Sequence, residues 1–411
     1  MYSEKHELGI FQVLFSFTWD KNDKSILYSR LMIKNETDYI IFKLQFFEIM
    51  KFLFFLLFLS GSLLSCKNNS TEPIAGTPAP DTVPVKKEKQ PISEPLVNLI
   101  YTADPSAHLF AGRIYIYPSH DFDFGVKEDD MGSHFDMRDY HILSMDSIGG
   151  VVTDHGVAID KAEIPWVSRQ LWAPDAAFYK GKYYLYFPAK DKQDIFRIGV
   201  ATSIFPQGPF KAEPKPIKGS YSMDPAVYKD NDSTFYMYFG GIWGGQLQRW
   251  QTNKYDTSGV EPNDDRPAIG PRVARLTQDM LQFAEPVKEV KIIDSTGSPI
   301  QGKDHDRRFF EASWMHKFQG TYYFSYSTGD THFICYATGD NPYGPFTYRG
   351  VILDPVIGWT NHHSIMEFRG KWYLFYHDSV LSGGKTHLRT VKVTPLKHNQ
   401  DGSIERIVAY K

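Results

Sequence analysis

The chain has 411 residues, nearly balanced charge (45 Lys and Arg against 48 Asp and Glu, formal net −3) and an aromatic share of 15%, mostly Tyr and Phe. With no basic stripe, the balance excludes the electrostatic footprint of a nucleic-acid-binding protein. The length admits two or three average domains as a soft prior. The Tyr- and Phe-rich composition suits strands and sugar-stacking surfaces.

In chain order, the first strong signal is the apolar run over residues 52–64, preceded by Lys51 and followed by Ser65-Cys66. It has a basic start, an apolar core too short to span a bilayer, and small residues before a cysteine. Leu63-Leu64-Ser65-Cys66 resembles the lipobox of bacterial lipoproteins, which implies cleavage before Cys66 and lipidation of its thiol. An ordinary signal peptide and a buried apolar helix are the alternatives. Because such a signal works near an N-terminus, Met50 is expected to be the true start and residues 1–49 a mis-assigned upstream segment. Residues 50–65 then form the signal peptide. Residues 66–97, rich in Pro, Thr, Lys, Glu and Asn, read as a flexible linker. The expected location is the bacterial cell envelope, with the membrane reached through the lipid anchor alone. The second cysteine, Cys335, lies in an apolar strand-like run and is expected to be a buried structural thiol.

From residue 98 to the end, a phrase recurs five times. A head residue leads into a short apolar run, then a turn, then an aromatic-rich strand. The heads are Asp104, Asp175, Asp224, Glu311 and His362. The turns are Ala111-Gly112, Lys180-Gly181, Asp230-Asn231-Asp232, Gln319-Gly320 and Arg369-Gly370. Gly or Asp-Asn at the centre supplies the backbone freedom of a tight turn, so each copy predicts a hairpin. The irregular spacing leaves room for two further strands per unit, as in a propeller blade. No long segment has a 3.6-residue apolar period, which argues against a (β/α)8 barrel. The expectation is an all-β, five-bladed β-propeller over residues 98–411.

In such a ring the innermost strands all begin at one end of the central channel, so the five heads would share a funnel. Turn-capping Asp is the alternative for each copy alone, but capping does not demand register. Converging acids suit glycoside hydrolysis, which needs one protonated and one ionised carboxyl group beside the scissile bond. A third carboxylate close to the acid can raise its pKa by repulsion.

Ala103-Asp104-Pro105-Ser106, Trp172-Ala173-Pro174-Asp175, Met223-Asp224-Pro225-Ala226 and Phe310-Glu311-Ala312-Ser313-Trp314 resemble, in this order, the signature segments of glycoside hydrolase family 43. The resemblance covers residues 98–395. It implies a five-bladed propeller and inverting hydrolysis of β-xylosides, α-L-arabinofuranosides or related linkages, with no cofactor for the chemistry. Asp104 matches the general base, Glu311 the general acid and Asp224 the carboxylate that modulates the acid. Ser313 departs from the family's usual Pro at that point. Asn361-His362-His363-Ser364 resembles a Gly-His-x-Ser segment whose His lies near a structural calcium ion in the central channel, so His362 is the metal candidate, with a purely structural His as the alternative. Arg389 resembles a late Arg that contacts the first-subsite sugar, with a surface salt bridge as the alternative. Trp172, Asp175 and Phe310 complete the expected substrate-binding set.

Two long segments, residues 240–272 and 294–308, are expected to wall the funnel into a pocket, which favours exo action. The leading expectation is an exo-acting β-1,4-xylosidase working on xylan or arabinoxylan fragments. An α-L-arabinofuranosidase or arabinan-degrading enzyme of the same family is the alternative. A non-catalytic carbohydrate-binding propeller would tolerate loss of the acid. A glycoside phosphorylase would need a basic phosphate site, for which only Arg389 and Arg307-Arg308 are candidates.

Overall fold

The computed structural model describes residues 90–411. Residues 1–49, the expected signal peptide over 50–65, Cys66 and the expected linker as far as residue 89 lie outside the described residues.

The described chain is five antiparallel sheets set around an axis. The first holds β1 (Tyr101–Phe110), β2 (Arg113–Asp121), β3 (Asp139–Met145) and β4 (Thr153–Asp160). The second is built from β5 (Val167–Arg169), β6 (Asp175–Tyr179), β7 (Lys182–Asp191), β8 (Phe196–Ser203) and β9 (Lys211–Ala212). The third has β10 (Ala226–Lys229), β11 (Phe235–Phe239), β12 (Arg272–Arg275) and β13 (Lys288–Glu289). In the fourth, β14 (Ile292–Ile293) adds in parallel to the outer edge of β15 (Glu311–Phe318), β16 (Thr321–Ser327), β17 (Ile334–Gly339) and β18 (Phe346–Leu353). The fifth comprises β19 (His363–Phe368), β20 (Lys371–Asp378) and β21 (Thr390–Leu396). The innermost strands β1, β6, β10, β15 and β19 touch in a closed ring, β1 to β6 and so on round to β19 against β1. This is the five-bladed β-propeller.

The five repeats are the five inner hairpins. In four of them the turn is two residues, Ala111-Gly112, Lys180-Gly181, Gln319-Gly320 and Arg369-Gly370, all with positive φ. That geometry matches the twist of the flanking strands, and Gly in second place carries it without a Cβ clash. The third hairpin turns through the longer 230–234 loop.

A blade buries both faces against its neighbours, so its second strand is buried along most of its length instead of alternating. All five residues of β11, Phe-Tyr-Met-Tyr-Phe, are buried. The core lies in layers between blades. One layer pairs Tyr140 and Ile159 with Leu185 and Phe187, another Ile114 and Leu143 with Phe375 and Val391. Tyrosine does more here than fill volume. Tyr117, Tyr186 and Tyr238 occupy the same place in β2, β7 and β11, and each hydroxyl donates to a backbone carbonyl of the next blade: Pro206 (2.7 Å), Met280 (2.9 Å) and Pro342 (2.6 Å). Tyr323 of β16 reaches Gly402 O at 2.7 Å, and Tyr376 of β20 meets Ser93 at 2.9 Å. A buried phenol must satisfy its O–H, so these straps are the polar complement of aromatic packing, each contributing about 1 kcal/mol.

The ring is closed by residues 90–97, which corrects the expected linker boundary. Ile92 N donates to Ala409 O (3.0 Å), Leu96 N to Val391 O (2.8 Å), and Leu96 and Val97 pack against the layer between the first and fifth blades. Their apolar side chains have a face to bury. Cys335 is buried in β17, its thiol pushed up to about 12 chiefly by burial, the setting of an inert cysteine.

Candidate active site

Three of the repeat heads sit where the chain leaves ordinary strand geometry. Asp104 has φ +50° at a bulge that interrupts the β1–β2 ladder between Ala103 and Ser106. Asp224, just before β10, has φ +54°. Glu311 opens β15 and is followed by Ala312 at φ +61°, again at a bulge. Left-handed backbone at non-glycine residues is strained, and bulges re-aim side chains. Here the strain turns carboxylates from three blades into one pocket of about 240 Å³, whose lining also includes His362, Arg389, Trp172 and Phe310.

Asp104 accepts hydrogen bonds from Ser119 Oγ (2.5 Å) and Arg389 Nη1 (2.9 Å). Burial works against its charge, but Arg389 above all, helped by His377, His362 and Ser119, holds the carboxyl down at about 2. Arg389 is itself gripped by Asp121, with Nε and Nη2 each 2.8 Å from a carboxylate oxygen. This two-pronged pairing fixes the guanidinium plane.

Glu311 has the opposite environment. Burial pushes its carboxyl up, to about 8, and the Asp104 charge adds to the push against Arg389. Burial, Glu311 and Asp104 raise Asp224 in the same way. The two acids titrate as a unit. Ala312 N–H donates to Asp224 Oδ2 at 2.9 Å, which favours the charged form of Asp224 but does not overcome burial and the neighbouring carboxylates. One pocket therefore holds an ionised carboxylate and a protonated carboxylic acid at neutral pH.

His362 stands with Nδ1 3.6 Å from Asp104 Oδ1 and 3.9 Å from Asp224 Oδ2. Burial, reinforced by Arg389 against the pull of Asp104, lowers it to about 4, so it is neutral. Calcium takes six to eight oxygen ligands. Among the described residues, no cluster of three or more His, Cys or carboxylate donors gathers at His362.

Trp172 lines the pocket, and its Nε1 donates to Phe135 O at 2.7 Å. Phe310 is almost wholly buried and stands behind Trp243 and Trp359, its ring edge-on to both at 5.2 and 5.7 Å. Those two indoles are the more open aromatic surfaces. Asp175, expected among the sugar contacts, does not line the pocket. Its carboxylate receives Ser106 Oγ, His108 Nε2 (2.6 Å), Ala176 N (2.7 Å) and Val227 N, and so ties the inner strands of three blades together.

Of the two long segments, the first supplies Ile242, Trp243, Gly244 and Gly245 to the wall. Gly241 permits the approach: a Cβ there would lie 2.1 Å from Met223 Cε and 3.2 Å from Glu311 Cβ. The second segment, 294–308, lines a separate depression, with Arg308 bound to Glu261 and Arg307 to Asp304. Sequence reasoning missed a third wall, residues 128–137 of the β2–β3 connection, with Phe135 beneath the Arg389 guanidinium at 4.8 Å. It also missed Asp121, His377 and Thr360. Asp121 and His377 lie at the ends of second strands, which return to the pocket end of the ring beside the heads, and that register was a readable signal.

The family model of glycosyl hydrolases family 43 matches residues 95–404. The chain belongs to this family. A xylosidase/arabinosidase of Bacteroides ovatus is 59% identical over 305 residues, 74% of this chain and 94% of that one. A β-xylosidase/α-arabinofuranosidase from a compost metagenome, solved with xylotriose in a calcium-free form, is 72% identical with a TM-score of 0.77, covering 79% of this chain and 99% of the other. A family 43 enzyme of Xanthomonas citri, solved with xylotriose, is 58% identical with a TM-score of 0.76, covering 78% and 95%. The chain is a glycoside hydrolase, and its family needs no cofactor for the chemistry.

Proposed function

We propose that this family 43 hydrolase is an inverting, exo-acting β-1,4-xylosidase that removes xylose from the ends of xylan-derived oligosaccharides, and that α-L-arabinofuranosides are its second substrate class. The observation that carries the proposal is the opposite charge state of Asp104 and Glu311 in one pocket. Asp104 takes a proton from the attacking water while Glu311 gives one to the departing oxygen. Asp224, fixed by the Ala312 N–H, stands close to Glu311, and the repulsion between the two carboxyl groups helps keep a proton on the acid. Arg389 holds Asp104 in the base form and keeps its plane through Asp121. The relatives' names and the xylotriose bound in two of the solved structures support the pentose, and the small walled pocket supports attack at a chain end.

Two further parts belong to the same reading. A calcium ion in the channel would use His362 as its protein ligand and water for the rest. Lipidation at Cys66 would hold the enzyme at the bacterial envelope, where short oligosaccharides are trimmed.

Aryl β-xyloside and aryl α-L-arabinofuranoside hydrolysis by the wild type and by Glu311→Ala tests the proposal, with the anomer of the released sugar read by NMR. Xyloside cleavage with first-formed α-xylose is expected. Cleavage of neither substrate refutes the specificity, and first-formed β-xylose from the β-xyloside refutes inversion.

A further inference from the structure

The first blade carries a constellation that the hydrolytic pocket does not use. His120 is the last residue but one of β2, Asp139 and His141 lie at the start of β3, and one donor atom from each lies within 4.8 Å of the others. His120 Nδ1 is 2.6 Å from Asp139 Oδ1. The two imidazoles adjoin each other, tilted by 53°, with ring centroids 4.3 Å apart. His120 is buried against Phe122, at 4.1 Å between rings, and the other two side chains are only 14% and 13% exposed.

A fourth residue gives the cluster the character of a ligand set. Asp154 of β4 meets His141 Nδ1 with its two oxygens, at 2.9 and 3.0 Å. A carboxylate on one ring nitrogen fixes the tautomer and leaves the lone pair on the other, the arrangement by which outer carboxylates orient metal-binding imidazoles. Two imidazoles and one carboxylate suit zinc and its late first-row neighbours, and do not suit calcium or magnesium, which take oxygen.

We propose that His120, Asp139 and His141 bind a zinc-class divalent cation, with Asp154 orienting His141 from behind. Its place in the fold indicates its role. The connection between β2 and β3 leaves at Asp121 and returns at Asp139, and it carries the pocket wall formed by residues 128–137. A cation bound by His120 on one side and Asp139 and His141 on the other staples the two ends of that loop. It would sit next in sequence to Asp121, the residue that grips Arg389. The site is thus a structural clamp under the wall of the pocket.

The test is titration of chelator-treated protein with Zn²⁺ by calorimetry, with Co²⁺ as an absorbing substitute. The expected result is one equivalent bound, tetrahedral cobalt bands in the visible, and weakening by about tenfold or more in His141→Gln and in Asp139→Asn. Asp154→Asn should weaken binding less than loss of a ligand. All three variants leave the pocket carboxylates in place, so cation held adventitiously by those acids would bind all of them as it binds the wild type. That outcome, or no stoichiometric binding by the wild type, overturns the proposal. Should one variant fail to fold, judged by its unfolding transition, the other decides.

Discussion

The backbone N–H of Asp104 donates to Nδ1 of His377 at 3.0 Å. The ring's other nitrogen, Nε2, lies 3.1 Å from the carbonyl oxygen of Thr360, to which it donates. Burial first, then Arg389, lowers His377 to about 3, so it is neutral and its tautomer is set by these two partners. The ring thus holds the strained φ of +50° at Asp104 and aims the carboxylate that the proposed reaction uses as base. His377→Ala is expected to lower kcat by roughly a hundredfold, the scale of a small misplacement of a catalytic group, with little change in KM. His377→Asn, which can still accept the N–H, should recover part of the loss. Steady-state kinetics beside unfolding curves check this, and an unchanged kcat in a destabilised His377→Ala would show a purely structural role.

Glu311 sets the alkaline side of the pH profile. Its carboxyl stays protonated until the pH approaches about 8, so kcat/KM should fall as pH rises through that region. Asp104, held at about 2, gives no acidic limb in the working range. Glu311→Gln should lose roughly 10²–10⁴-fold on a poor leaving group and much less on an activated aryl group. Stability carries the same signature. The folded value lies above the ordinary 4.5, so the group's contribution is fully present below about pH 4.5 and is lost as pH rises through about 8. Denaturant midpoints against pH should fall across that window in the wild type and less in Glu311→Gln.

Arg389 is the main favourable charge on Asp104. Arg389→Gln should let burial push Asp104 upward, and an acidic limb should then enter the kcat/KM profile. Asp121 would be left buried without its bidentate partner, a loss of about 3–5 kcal/mol in stability. A pH–rate profile recorded where the variant is still folded decides the first point, and urea unfolding the second.

Asp175 should behave as a structural residue. Its carboxylate joins Ser106, His108 and Val227 across three inner strands. Asp175→Ala is expected to cost about 2–4 kcal/mol, because several buried donors lose their acceptor together. KM for an aryl xyloside should stay near the wild-type value in folded protein. A large rise in KM with unchanged stability would instead return Asp175 to the sugar site.

The five-fold repeat was readable because each inner hairpin carries its own turn chemistry, and Ala111-Gly112 or Gln319-Gly320 announces a turn without help from the rest of the chain. Asp104, Asp224 and Glu311 could be found for the same reason, since each stands at the same place in its copy. Asp175 stands there too, and register alone could not show that its neighbours Ser106 and His108 would consume its carboxylate. Trp359 and Phe135 were hidden because they sit on connections between strands, which have no period. Arg389 and Asp121 are separated by most of the chain, and only closure of the ring brings them within 2.8 Å.

That closure has a mechanical side. Where Ile92 is laced to Ala409 and Leu96 to Val391, the two ends of the described chain cover each other, so among the described residues the first and fifth blades are fastened at the seam. A pull applied at residue 90 loads this seam on the first and fifth blades. The Ala312–Asp224 bond and the Glu311 carboxyl lie on the third and fourth blades, so such a load would strain the seam well before it disturbed the acid pair.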